Sequence, residues 1–158
     1  MPEHTPQILE CDIQNVTFGK NVKIVQPTNM YGCTISDDCF IGPFVEIQKN
    51  VEVGARTRIQ SHSFICELVS IGQDCFIGHG VMFINDPFTA NGPARGRREL
   101  WRETHIGNRV SIGSNATIMP VQICDDVVIG AGAVVIHSIT EPGTYAGNPA
   151  HLITRKSS

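Results

Sequence analysis

A six-residue period constrains this chain more than anything else in it. The stretch from Ile59 to Asp86 reads IQSHSF-ICELVS-IGQDCF-IGHGVM-FIND when cut every six residues. Ile59, Ile65, Ile71, Ile77 and Phe83 each open a unit, and the run breaks at Asn85-Asp86. A period of six is neither helical nor a simple alternation. It fits a short strand followed by a tight corner, repeated.

The same cut extends in both directions. Openers fall at Ile13, Phe18, Ile24, Met30, Ile35, Ile41, Ile47 and Val53, and after a gap at Ile106, Ile112, Ile118, Ile123, Ile129 and Val135. The intervals Met30 to Ile35 and Ile118 to Ile123 are five residues long. The second slot is often glycine, as at Gly42, Gly54, Gly72 and Gly113, and is expected to relieve a corner where φ is positive. The fifth slot is small or β-branched, as at Val45, Thr57, Ser63, Val81 and Ala116. Cys39 and Cys75 share that slot and are expected to point inward.

Three units closing a triangular coil stack the openers into a continuous core. Successive coils then pair as parallel strands ~4.8 Å apart. One coil buries little, so stability needs several. The expectation is an all-β chain: a parallel β-helix of about six triangular coils forming a single domain over 1–158. The coils run over about 13–140, one long loop is extruded at about 86–104, and a short C-terminal tail follows. A long loop in such a solenoid is more often functional than idle. It carries four arginines and the sole tryptophan, Trp101.

Composition narrows the class. The 158 residues suffice for one domain with a core. A net charge of -3 leaves no electrostatic footprint for nucleic acid. No apolar run reaches the length of a membrane span. The N-terminus, MPEHTPQILE, lacks a basic region followed by an apolar core, so no signal peptide is expected and the location reads as cytoplasmic. The six cysteines include no Cys-x-x-Cys pair and read as reduced structural thiols.

The pattern [Ile/Val]-Gly-x-x-[small]-x, in phase over about residues 13 to 150, resembles the hexapeptide-repeat acyltransferases. The resemblance implies a left-handed β-helix, an exception to right-handed crossovers. It also implies a homotrimer with active sites at the subunit interfaces and a loop that reaches across to a neighbouring subunit. Trp101 is then either an interface anchor or a cap on local apolar surface. Glu141-Pro-Gly-Thr-Tyr-Ala-Gly-Asn-Pro-Ala150 resembles the family's exit from the helix, with His151 where relatives often carry Lys or Arg.

Within the opening stretch, Gln60-Ser-His-Ser-Phe-Ile-Cys-Glu67 followed by Gly78-His-Gly-Val-Met-Phe-Ile-Asn-Asp86 resembles the sugar-nucleotide amine acetyltransferases. That resemblance implies an N-acetyltransferase acting on the amino group of a nucleotide-linked amino-deoxysugar for surface polysaccharide synthesis. Glu67, Asn85 and Asp86 would bind the sugar and its amine. Spacing adds a physical argument. Glu67 and Asn85 are 18 residues apart, one coil of three units, so they should stack about one strand spacing apart. The plain alternative is a set of solvated positions and a turn starter. His79 occupies an outward slot and is the candidate base, with His62 about one coil below; a surface imidazole is the alternative. The candidate catalytic set is therefore Asn85, Asp86 and His79.

The implied acyl donor is acetyl-CoA. Gly113, Ser114, Ala131 and Gly132 match the stretches where its pantetheine arm would pass, and Arg155 with Lys156 would meet its phosphates, unless these two are simply a solvated tail. The galactoside and maltose O-acetyltransferases, which the chain resembles from Thr104 onward, carry a catalytic histidine in the loop. Residues 86 to 104 contain none, and His105 comes just after. An amine needs no strong base, whereas a hydroxyl does, so this absence favours an amine acceptor. The alternatives are an O-acetyltransferase of a free sugar or small alcohol, and a non-catalytic scaffold. The gamma-class carbonic anhydrases share the fold and hold zinc through histidines, two of them five residues apart. No pair here has that spacing, so no metal is expected.

Overall fold

Each opener is the inward-facing end of a very short strand. In Thr34–Ile35, Arg58–Ile59 and Phe76–Ile77 the first residue is exposed and the second is buried. This is the side-chain alternation of extended chain compressed into one step. A computed structural model describes Gln7 and residues 10–155, and in it the strands form three sheets of seven, six and eight strands, parallel but for the last strand of the third.

The register follows the period. On the first side Ile13 pairs with Met30, Met30 with Ile47 and Ile47 with Ile65; after the loop Phe83 pairs with Ile118 and Ile118 with Val135. The second side carries Phe18, Ile35, Val53, Ile71, Ile106 and Ile123 in one ladder. The third carries Ile24, Ile41, Ile59, Ile77, Ile112 and Ile129. These columns fill the prism, and Ile35, Ile41, Ile47, Ile59, Ile65 and Ile77 have no exposed surface at all. Fully burying such a side chain contributes about 1.5–3 kcal/mol. The hydroxyls in the core are satisfied locally: Thr57 and Ser63 donate to the carbonyls of Gly72 and Gly78 on the next turn.

The described residues make seven turns rather than about six. The additional turn lies at the C-terminal end, where Val134–Val135, a single bridge at Ile139 and Gly143–Ala146 continue the three sides. The expected tail is itself a strand. His151–Arg155 folds back antiparallel on Gly143–Ala146 and covers what would be an open sheet edge.

The corners correct one expectation. Positive φ falls on the fourth slot of most units, at Asp38, Phe44, Asn50, Arg56, His62 and Leu68 among others, and most of these are not glycine. The second-slot glycines serve close approach between turns instead. A Cβ on Gly54 would lie 2.5 Å from the carbonyl carbon of Gly72.

The corner between the second and third sides is sealed by charge. Arg56 donates to Asp74 at 2.6 Å, and Arg109 donates to Asp126 at 2.9 and 3.0 Å. The other two corners carry the residues with chemical potential.

Candidate functional site

The corner between the first and second sides is where the loop leaves. Asn85 lies one turn above Glu67, and its Nδ2 donates to the Glu67 carbonyl at 3.1 Å. The returning chain is stitched beside it: Arg102 N–H donates to the Asn85 carbonyl and Thr104 N–H to the Leu68 carbonyl. Both ends of the loop are thus fixed to the turn that carries Glu67.

Asp86 organises the loop itself. One carboxylate oxygen accepts from Phe88 N–H at 3.0 Å and the other from Ala94 N–H at 2.6 Å. Ala94 is buried, and Arg97 N–H donates back to its carbonyl. The chain then makes a 3-10 turn at Arg98–Leu100 that aims Arg98 back at the helix.

Glu67 is the least solvated charged group of the site. Its side chain is 10% exposed, and Oε2 is buried without an oriented hydrogen bond. Arg98 pairs with Oε2 from the loop, and Lys49 Nζ lies 4.0 Å from Oε1 from the turn below. Burying a carboxylate is costly unless a cation accompanies it, and here two do. Arg98 also lies over the half-buried ring of Trp101, 5.5 Å from its centroid, so Trp101 packs on its own chain.

The chain therefore gathers Glu67, Asn85 and Asp86 at one corner. It does not bring His79 to them. His79 stands at the corner between the third and first sides, at the far end of the strand Met82–Phe83. Six residues of extended chain separate it from Asn85, up to roughly 20 Å at ~3.3 Å per residue. Its Nδ1 shares a hydrogen bond with Ser61 Oγ at 2.8 Å, and the residue is exposed. His62 stacks on exposed Phe44, with ring centroids 4.9 Å apart.

Gly113, Ser114, Ala131 and Gly132 share the corner of His79, on the turns above it. Gly113 has a packing reason of its own, since a Cβ there would sit 2.4 Å from Ala131 N. Gly132 differs: φ is +69° and nothing lies within 4 Å of its Cβ position. The ladder bonds at this corner use the N–H groups of Gly113, Asn115, Gly130 and Gly132 and pass over those of Ser114 and Ala131. The side chain of Arg155, and Lys156 entirely, lie outside the described residues.

Two features escaped the sequence reading. Lys49 precedes Glu67 by 18 residues, one coil, and so was detectable by the same arithmetic as Asn85. The other is a hydrogen-bonded array on the second side. Ser70 Oγ meets His105 Nδ1 at 2.7 Å, and His105 Nε2 meets Glu103 at 3.1 Å. With Asn50, Glu52 and Leu68 these residues line a groove of about 410 Å³ next to Glu67. Ser70 and His105 are 35 residues apart only because the loop intervenes, which hides the stacking from the period.

Among the described residues no cluster of three His, Cys, Asp or Glu is placed to hold a metal ion, and no helix is long and apolar enough to cross a membrane.

The chain is 32% identical over 131 residues to a bifunctional protein GlmU of Wolbachia pipientis wMel, covering 82% of this chain and 28% of that protein. It is 34% identical over 117 residues to a probable macrolide acetyltransferase of Lysinibacillus sphaericus, covering 61% of this chain and 65% of that one. It thus spans less than two thirds of the length of either relative. A galactoside acetyltransferase in complex with coenzyme A superposes with a TM-score of 0.63 at 23% identity, over 90% of this chain and 65% of the other, a likeness of fold. A family described as bacterial transferase hexapeptide (six repeats) matches residues 32–67, and one described as hexapeptide repeat of succinyl-transferase matches 68–83 and 103–136. Together these matches cover more than half of the chain and skip the extruded loop, so the chain belongs to the hexapeptide-repeat transferase family.

Proposed function

We propose that this protein is an acetyl-CoA-dependent N-acetyltransferase acting on the amino group of a nucleotide-linked amino-deoxysugar. The observation that carries the reading is the buried Glu67 carboxylate directly beneath Asn85, at the mouth of the only long loop among the described residues. A buried carboxylate that needs cationic company suits an ammonium group. The Asn85 carbonyl oxygen and the Asp86 carboxylate add acceptors for the other N–H and hydroxyl donors of such a sugar.

The chemistry asks for placement more than for a base. An amine on a carbon flanked by electron-withdrawing oxygens should titrate near ~8, like an α-amino group, so part of it is neutral at pH 7. The ammonium gives one proton to the Glu67 carboxylate, the neutral nitrogen attacks the thioester carbonyl, the C–N bond forms, the C–S bond breaks, and the second N–H proton goes to the departing thiolate, so coenzyme A leaves as the thiol. Orientation alone supplies much of the acceleration.

Acetyl-CoA is assigned to the corner of His79, along Ser114, Ala131 and Gly132. Open space at Gly132 and the N–H groups of Ser114 and Ala131, passed over by the ladder, support that assignment. Donor and acceptor corners then belong to different edges of one chain. A homotrimer in which the His79 corner of one copy faces the Glu67 corner of its neighbour would unite them.

A second reading, O-acetyl transfer to a sugar or small alcohol, is favoured by the Ser70–His105–Glu103 array, because a hydroxyl acceptor needs a general base. A thiol-release assay with acetyl-CoA separates the two. The purified protein is offered nucleotide-linked 3-amino and 4-amino sugars on one hand and free sugars on the other. Turnover confined to hydroxyl acceptors selects the second reading, and failure to bind coenzyme A in calorimetry removes both.

A further inference from the structure

Arg98 occupies the place a ligand cation would take. Its guanidinium pairs with Glu67 Oε2, an oxygen that is buried and otherwise has no hydrogen-bond donor. Arg98 itself is half exposed and reaches the site from a three-residue 3-10 turn in the loop, not from the helix. Lys49, by contrast, stands on the turn beneath and approaches the other oxygen, Oε1, at 4.0 Å. Glu67 is thus held by one cation from the scaffold and one from a segment without ladder bonds of its own. We infer that Arg98 is an exchangeable cation: it fills the acceptor site of Glu67 in the free protein and is displaced by the ammonium group of the incoming ligand.

Charge conservation makes the device selective. Withdrawing Arg98 alone would leave a nine-tenths-buried carboxylate with only the distant Lys49, so the loop stays shut without a ligand. An ammonium group restores the pair as Arg98 leaves, whereas a neutral hydroxyl does not. The compact ammonium is a point charge with three donors that can approach one oxygen closely, and the guanidinium is broad and planar. Arg98 is also held by the face of Trp101, 5.5 Å from its ring centroid. The base of the loop need not move, since Asn85 and Thr104 remain bonded to the turn below and Arg102 to Asn85. Only the segment around Arg98–Leu100 must swing.

The identity of the ligand as an amine substrate rests on the reaction proposed above, but the exchange itself can be tested without turnover. Trp101 is the sole tryptophan of the chain, so its emission reports the Arg98 contact. The full-length protein is titrated with methylammonium chloride, against sodium chloride and tetramethylammonium chloride at equal ionic strength. A saturable change in emission with methylammonium alone is expected. It should be absent in Glu67→Gln, and in Arg98→Gln the emission should already sit at the end point. A flat response, or one that tetramethylammonium reproduces, overturns the exchange. In turnover with an amino-sugar acceptor, Arg98→Gln should lower KM for the amine about threefold or more with kcat within twofold, whereas Arg98→Lys, which carries the same compact ammonium as the ligand, should keep KM at or above the parent value. A raised KM in Arg98→Gln with the assembly intact would instead make Arg98 a substrate-binding group and sink the idea. A methylammonium response without acetylation of any amine would leave the exchange standing and remove the proposed reaction.

Discussion

Asn85 and Glu67, 18 residues apart in the chain, are joined by a 3.1 Å hydrogen bond from the Asn85 amide nitrogen to the Glu67 carbonyl oxygen. That bond fixes which way the Asn85 amide faces and leaves its oxygen as the group offered outward. Asn85→Ala should therefore lower kcat/KM of the proposed transfer about 100-fold, a loss typical of a misplaced reacting group. Stability should fall by only about 1 kcal/mol, the worth of one hydrogen bond. Asn85→Asp should do no better than Ala, because it sets a carboxylate oxygen against the Glu67 carbonyl. Steady-state kinetics beside thermal melts check both halves. Parent-like kinetics in the Asp variant would show that the amide orientation is irrelevant.

Asp86 predicts a different phenotype. Its two oxygens hold the amides of Phe88 and Ala94, so its first consequence is loop order. Asp86→Ala should leave the melting temperature of the β-helix nearly unchanged, since the prism below does not depend on the loop. Tryptic cleavage at Arg95, Arg97 and Arg98 should become markedly faster. Unchanged cleavage kinetics would mean that these two hydrogen bonds do not hold the loop in solution.

The prism was legible because its cause is periodic. An opener every five or six residues is enough to place Ile59 under Ile77 and Glu67 under Asn85, since register follows from counting once three sides are assumed. Counting also hides things. It placed the seventh turn poorly, because Ile139 and Tyr145 are spaced irregularly and only the stacking on Ile123 and Ile129 reveals them. It misassigned the glycines, since close approach between turns and positive φ both favour Gly, and only coordinates show that Gly54 has the first cause and Gly80 the second. The contacts of Arg98 and the pairing of Ser70 with His105 cross the aperiodic loop, where no spacing rule applies. Asn85 and Asp86 stand at one corner of a single chain and His79 at another, a distinction the sequence leaves open because the period gives the slot within a unit and not the edge that the slot occupies.

The cysteines give a test of the core. Cys33, Cys39, Cys66 and Cys75 are buried, Cys11 is exposed, and all six are free. Burial pushes the Cys66 thiol up to about 12 and the Cys33 thiol up to about 11. The thiolate is the reactive form, so neither should react near neutral pH. With a thiol-specific chromogenic reagent at pH 8, Cys11 should react within the first phase. Cys33, Cys39, Cys66 and Cys75 should follow only on denaturation. Rapid labelling of more than two thiols in the folded protein would contradict the burial of these four.

The charged corner between the second and third sides carries the last prediction, one of acid sensitivity. Asp74 is held below the usual carboxylate range by its hydrogen bonds from Arg56, and Asp125 by those from the backbone and side chain of Asn108. A carboxylate with a depressed folded pKa contributes stability that is fully present above its unfolded value, ~3.9, and that is lost as pH falls through the folded value. Asp74→Asn should accordingly melt below the parent at pH 7, and the two curves should converge as pH drops from about 4 towards 2. Both groups are at the surface, so the gap should be small and should shrink further in molar salt. Arg56→Gln should produce the same convergence, because it removes the donor that depresses Asp74. Melting curves by circular dichroism from pH 7 to 2 provide the measurement. A gap between parent and Asp74→Asn as wide at pH 2 as at pH 7 would show that ionised Asp74 adds nothing, and that the corner is held by its backbone ladder alone.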